Sequence, residues 1–186
     1  MNQFLFGNAN RKSLLIARIG IMLALTLVLQ YVTGLAGIQL LTGSAVNMML
    51  IITAMVAGLV GGVCVGLVTP YVGFLLGLSS NVILTPFIGV SNAIYIALFA
   101  IILKAFKGEY GDVKSIWQQG VGLVIGAFVK FLFLYYITYN LLLPLVMATV
   151  PAALAVTFGI TQFFTAMIGG VCAIAVGYLL KKRGLI

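Results

Sequence analysis

The stretch Gly126-Ala-Phe-Val-Lys-Phe-Leu-Phe-Leu-Tyr-Tyr-Ile-Thr-Tyr-Asn140 places one lysine, Lys130, in the middle of an otherwise apolar and aromatic run. Its upstream flank is apolar as well, so a span from about Gly120 to Tyr139 reaches the roughly 20 residues that a membrane-crossing helix needs. An unpaired ammonium at bilayer depth costs a few kcal/mol on insertion scales, so such a residue is expected to face a protected interior and to have a partner there. The only acids of the chain, Glu109 and Asp112, fall together in a polar loop, out of reach of a mid-membrane position. The missing anion, or a polar group in its place, is therefore expected to arrive as a ligand.

Outward from that segment, the whole chain has a membrane composition. Of 186 residues 63% are hydrophobic and only 6% charged, far outside the range of soluble domains. The expected fold is an all-α membrane protein, a compact bundle of six transmembrane helices that forms a single domain over residues 1–186. Long unbroken apolar runs without alternating ten-residue strands argue for helices over a barrel. The net charge of +8 does not point to nucleic acid, because the basic residues sit in short clusters at span ends and not on a face. Cys64 and Cys172 lie in apolar segments without paired spacing and read as small packing residues. The run after Arg11-Lys12 is longer than a signal-peptide core and is read as a retained first span.

Taken in order, span one covers about Ser13 to Thr33, with Gly20 and Ala24 one turn apart, a spacing that lets another helix approach closely. Arg18 is expected to snorkel to the headgroups. Spans two (about Ala45 to Gly58) and three (about Gly62 to Leu78) are short and tightly linked, and Thr69-Pro70 is expected to kink the latter. A turn-rich loop around Asn81 leads to Thr85-Pro86 and span four, about Pro86 to Leu103. The polar stretch Lys104 to Gln119 precedes span five. The apolar connection from Asn140 to Gly159, with Pro144 and Pro151, is expected to lie as a cap over the bundle, before span six runs from about Ile160 to Leu180.

Six spans put the N-terminus, the Lys107 loop and the C-terminus on one face, which holds every basic residue except Lys130. By the positive-inside rule that face, and with it both termini, is cytoplasmic. The chemistry the chain lacks is also informative. It has no histidine, no acid within a span and no Gly-rich phosphate loop, so the groups used in acid/base catalysis, metal sites and proton relays are missing. The chain is not expected to be an enzyme or to bind a cofactor, and uphill transport would need a partner to supply the energy.

The positive signals are neutral hydrogen-bonding groups in the outer half of the bundle. At 1.5 Å per residue, Lys130 lies roughly 15 Å into span five, with Asn92 and Gln162 one to two turns below the outer surface. Asn47, Asn81, Asn92, Tyr95, Lys130, Tyr139 and Gln162 are the candidate substrate-binding residues, since aromatic walls with a few convergent amides describe a small-molecule pocket. The competing interpretation is that the amides stitch helices together and the tyrosines form an interfacial belt.

The run Ala17-Arg-Ile-Gly-Ile-Met-Leu-Ala-Leu25, the run Gly66-Leu-Val-Thr-Pro-Tyr-Val-Gly-Phe-Leu-Leu-Gly77 and the run Thr85-Pro-Phe-Ile-Gly-Val-Ser-Asn92, together with the Lys130 segment, carry a resemblance. The chain resembles the S component, the substrate-binding membrane subunit, of energy-coupling factor (ECF) vitamin transporters of bacteria. The resemblance implies a multi-pass protein of the bacterial cell membrane, partnered by a transmembrane coupling subunit and two ATPase subunits that use the ATP. It also implies that Gly20-Ile-Met-Leu-Ala24 takes the place of the family's Ala-x-x-x-Ala docking motif, with glycine for the first alanine. The family's ligand site, on the outer side, matches the candidate residues above.

A buried cation without an internal acid suits an anion, which places pantothenate first among the family's vitamins, with hydroxymethylpyrimidine and pyridoxine close behind because amides read ring nitrogens. A stand-alone facilitator or channel, or a purely structural membrane subunit, would be the reading of a different class.

Overall fold

Backbone groups left open in hydrocarbon are costly, so each apolar run is expected to close its own hydrogen-bond ladder as a helix. A computed structural model describes residues 3–78, 83–137, 140 and 159–186. It contains five long apolar helices: α1 (Gln3–Gly34), α2 (Gln39–Leu75), α3 (Thr85–Ala105), α4 (Ile116–Tyr135) and α5 (Ile160–Lys182). A single 3-10 turn, Val113–Ser115, precedes α4, and no strand occurs among the described residues. The chain is thus an all-helical bundle suited to a membrane. The expected cap over residues 141–158 lies outside the described residues, as do Asn81 and Tyr139.

Spans two and three, expected as separate helices, are joined in α2, and the join is broken at one residue. Gly58 has φ 75° and ψ 176°, a combination essentially confined to glycine. A Cβ built on Gly62 would stand 3.2 Å from the Cα of Ala54, whereas eight residues of straight helix would hold the two about 12 Å apart. The chain therefore doubles back at Gly58 and the two halves of α2, 39–57 and 59–75, lie against each other. The backbone remains helical through Pro70, and Thr69 Oγ1 donates to the Val65 carbonyl at 2.6 Å.

Arg18 ties α1 to α2. Its guanidinium donates to the Val56 carbonyl at 3.2 Å, near the end of the first half of α2, where carbonyls run out of intrahelical donors. Helix α4 starts at Ile116, before the expected Gly120, because the Gln119 carboxamide is buried and ties the preceding loop to the helix. Its Nε2 donates to the carbonyls of Asp112 and Ser115, and its Oε1 accepts from the Gly111 N–H.

Helix α2 packs on α1, α3 and α5, and α4 packs between α3 and α5. The core runs through Leu50, Ile51, Val65, Tyr95, Ile96 and Phe99. Small residues set the helix spacing, as is usual where lipid cannot drive association. A Cβ on Gly122 or on Gly126 would meet the backbone carbonyl of Phe99 or of Tyr95 at 3.1 Å, and one on Gly89 would meet that of Leu67 at 3.0 Å. At the basic end, Lys181 pairs with Glu109 at 2.5 Å and with Asp112 at 3.2 Å. The Lys114 N–H and then the Lys181 ammonium hold the Asp112 carboxyl below the usual carboxylate range.

Candidate ligand site around Lys130

On α4 the residues that recur every third or fourth position, Leu123, Ala127, Lys130 and Leu134, are all buried. That is one face of a helix, and it turns Lys130 into the bundle, where the residue is 2% exposed. The ammonium donates to Asn47 Oδ1 at 2.6 Å and to Asn92 Oδ1 at 2.7 Å. It also stands 5.4 Å from the centroid of the Tyr95 ring, within range of a cation–π contact. Three helices thus converge on one nitrogen: α2 through Asn47, α3 through Asn92 and Tyr95, and α4 through Lys130 itself.

The expectation that Lys130 has no structural partner in the chain is corrected here, since two amide oxygens provide one. What the expectation holds of charge remains true. Both carboxylates of the chain are engaged by Lys181, so no negative charge meets the ammonium.

Each amide is held from behind. An ammonium has only donors, so the oxygen of each asparagine must face Lys130 and the nitrogen must point away. Asn47 Nδ2 donates to the Gly43 carbonyl at 2.9 Å and to Thr165 Oγ1 at 3.3 Å, and Thr165 Oγ1 donates to the Gln162 carbonyl at 3.1 Å. Asn92 Nδ2 donates to the Gly66 carbonyl at 3.2 Å. That carbonyl is available because the residue four positions on is Pro70, which has no N–H to give it. The proline thereby exposes an acceptor that orients Asn92. Tyr95 Oη donates to the Ala166 carbonyl at 2.8 Å, fixing its ring from α5. Glycines let these partners approach: a Cβ on Gly66 would meet Asn92 Cβ at 3.2 Å, and one on Gly169 would meet Asn47 Cβ at 2.9 Å.

Among the predicted residues, Asn47, Asn92, Tyr95 and Lys130 form one cluster, and Gln162 joins it through Thr165. Asn81 and Tyr139 lie outside the described residues. Tyr135 and Tyr136 are 42% and 65% exposed, and Tyr95 is the aromatic at the ammonium. The sequence reading missed Thr165 and Ser44. Thr165 follows Gln162 by three positions, which puts them on the same helix face. Ser44 lies one turn before Asn47, and its buried hydroxyl has no partner among the described residues.

No protein-family model, curated protein or solved structure matches the chain.

Function must therefore be argued from the site. Around Lys130 the described residues offer a buried cation, two oriented amides and one aromatic face, and no group of three metal-ligating side chains occurs among them. Gly20 and Ala24 lie on the opposite side of the problem. Both are exposed on the outer face of α1, and a Cβ on Gly20 would have nothing within 4 Å. They do no packing inside the bundle.

Proposed function

We propose that this chain is the substrate-binding membrane subunit of an ATP-driven importer of the ECF type, which captures a small vitamin or vitamin precursor at Lys130. The observation that carries the reading is a fully buried lysine that is hydrogen-bonded to two amides yet faces no carboxylate. Burying an uncompensated charge is expensive, and an anionic ligand arriving at Lys130 offsets that cost. Pantothenate, with one carboxylate and several hydroxyls, is the first candidate; hydroxymethylpyrimidine and pyridoxine would use the amides instead. In this reading the fold-back of α2 gives six membrane crossings, both termini are cytoplasmic, and the exposed Gly20–Ala24 face docks the coupling subunit of a module whose two ATPase subunits supply the energy.

A second reading is favoured by the completeness of the hydrogen bonds: Asn47, Asn92 and Lys130 would simply staple α2, α3 and α4. The two readings part in one experiment. A vitamin panel is tested for thermal stabilisation of the detergent-solubilised protein, where a ligand at a hundred times its Kd adds about 2.7 kcal/mol. Binding by the importer subunit predicts a hit among the anionic members, and Lys130→Met should weaken it at least tenfold, about 1.4 kcal/mol. That variant should also lose about 1–3 kcal/mol of stability through its two orphaned amide oxygens, so affinity is compared well below its unfolding temperature. No hit across the panel would leave the staple.

A further inference from the structure

A cleft of about 810 Å³ is at the basic end of the bundle, and Lys130 is not part of its lining. Lys104, Lys107 and Lys181 line it together with Glu109, while Met55, Leu59, Ile101 and Ile186 supply apolar walls. Lys181 is neutralised by Glu109 and Asp112. Those are the only acidic side chains in the chain, and among the described residues neither Lys104 nor Lys107 makes an ion pair. Both are exposed, and beside them Ile101 is 55% exposed and Leu59 39% exposed.

Lys107 carries a second, independent mark. It is the one described residue other than glycine with a positive φ, 54°. It follows the last turn of α3, where its N–H donates to the Lys104 carbonyl at 3.0 Å and the Gly108 N–H donates to the Leu103 carbonyl at 2.8 Å. Glycine is the usual residue at such a helix end because a side chain strains the left-handed conformation. The chain places lysine there and thereby turns a cation to the cleft.

We propose that this cleft binds an anionic phospholipid, its phosphate between Lys104 and Lys107 and an acyl chain along Ile101 and Leu59. A free anion would use the lysines but not the apolar walls, and an apolar helix would use the walls but not the lysines. A phospholipid uses both, and basic pockets at the ends of membrane helices are attractive to acidic headgroups.

The only tryptophan of the chain reports on the site. Trp117 packs edge-on to Phe106 at 5.2 Å between ring centroids, next to Lys107. The full-length protein is reconstituted in phosphatidylcholine containing a fixed fraction of a lipid brominated close to the headgroup, either phosphatidylglycerol or phosphatidylcholine. The expected result is stronger Trp117 quenching by the brominated phosphatidylglycerol, with the excess lost in the double variant Lys104→Gln, Lys107→Gln. The variant Lys107→Gly, which removes the cation but suits the left-handed backbone, should unfold at a higher temperature and still lose much of the excess. Equal quenching by the two lipids overturns the proposal, as does an excess that survives in either variant. Removal of the excess by added inorganic phosphate would assign the lysines to a soluble anion and overturn it too.

Discussion

A lysine that ends on two amide oxygens has its hydrogen bonds supplied but not its counter-charge. Asn92→Asp gives the ammonium an internal carboxylate. If the site takes an anion, this variant should lose binding of the anionic ligand at least tenfold, about 1.4 kcal/mol, in a thermal-shift titration; undiminished affinity would mean that charge plays no part in recognition. The sequence made Lys130 conspicuous, because a lone cation between Val129 and Phe131 needs no structure to be noticed. Its direction was not legible, since an error of one residue in helix phase turns a side chain by about 100°. Nor were its partners: Asn47 is 83 positions away and Asn92 is 38, and no local pattern joins them.

Among the helices, two residues act against what their type suggests when read alone. Pro70 lies within continuous helix, and its effect is felt by Asn92 through the carbonyl of Gly66. Pro70→Ala returns a backbone N–H to that carbonyl. The expected outcome is a protein of equal or higher thermal stability with several-fold weaker ligand binding, because Asn92 loses its anchor; unchanged affinity would show that Asn92 is oriented by packing alone. Gly58, read as the end of a span, is the point on which α2 folds over. Gly58→Ala forces a side chain into a glycine-only conformation and should lower stability by about 1–3 kcal/mol, measurable as an earlier unfolding transition in detergent. The run of glycines from Gly58 to Gly66 made a tight link legible, whereas hydropathy alone could not separate one long helix from two short ones across it.

Across the whole molecule, charge is partitioned to one end. Lys181, near the end of α5, grips Glu109 and Asp112 in the loop between α3 and α4, and so closes the bundle at its basic face. The carboxyl of Asp112 is held below its ordinary range in the folded protein. Its contribution is therefore fully present above the unfolded value, about 4, and is lost as the pH falls through the lower folded value. Thermal unfolding curves are expected to shift to lower temperature on acidification through that window, and Lys181→Met should flatten the dependence. The three-way grip was not legible beforehand, because the polar stretch from Lys104 to Gln119 reads as an exposed loop and its two acids as solvated.

The joint at Gly58 gives this arrangement a mechanical aspect. Asn47 belongs to the arm of α2 before the joint, and Gly66, which steadies Asn92, belongs to the arm after it. Arg18 of α1 grips the chain two residues ahead of the joint, and Leu59, immediately past it, lines the basic cleft. A pull on α1 or a wedge in the cleft would therefore act on the same pivot, and spreading its arms would draw apart the two oxygens that cradle the ammonium. In the importer reading, grip on the cargo and leverage at the far end of the bundle would thus be joined through a single glycine.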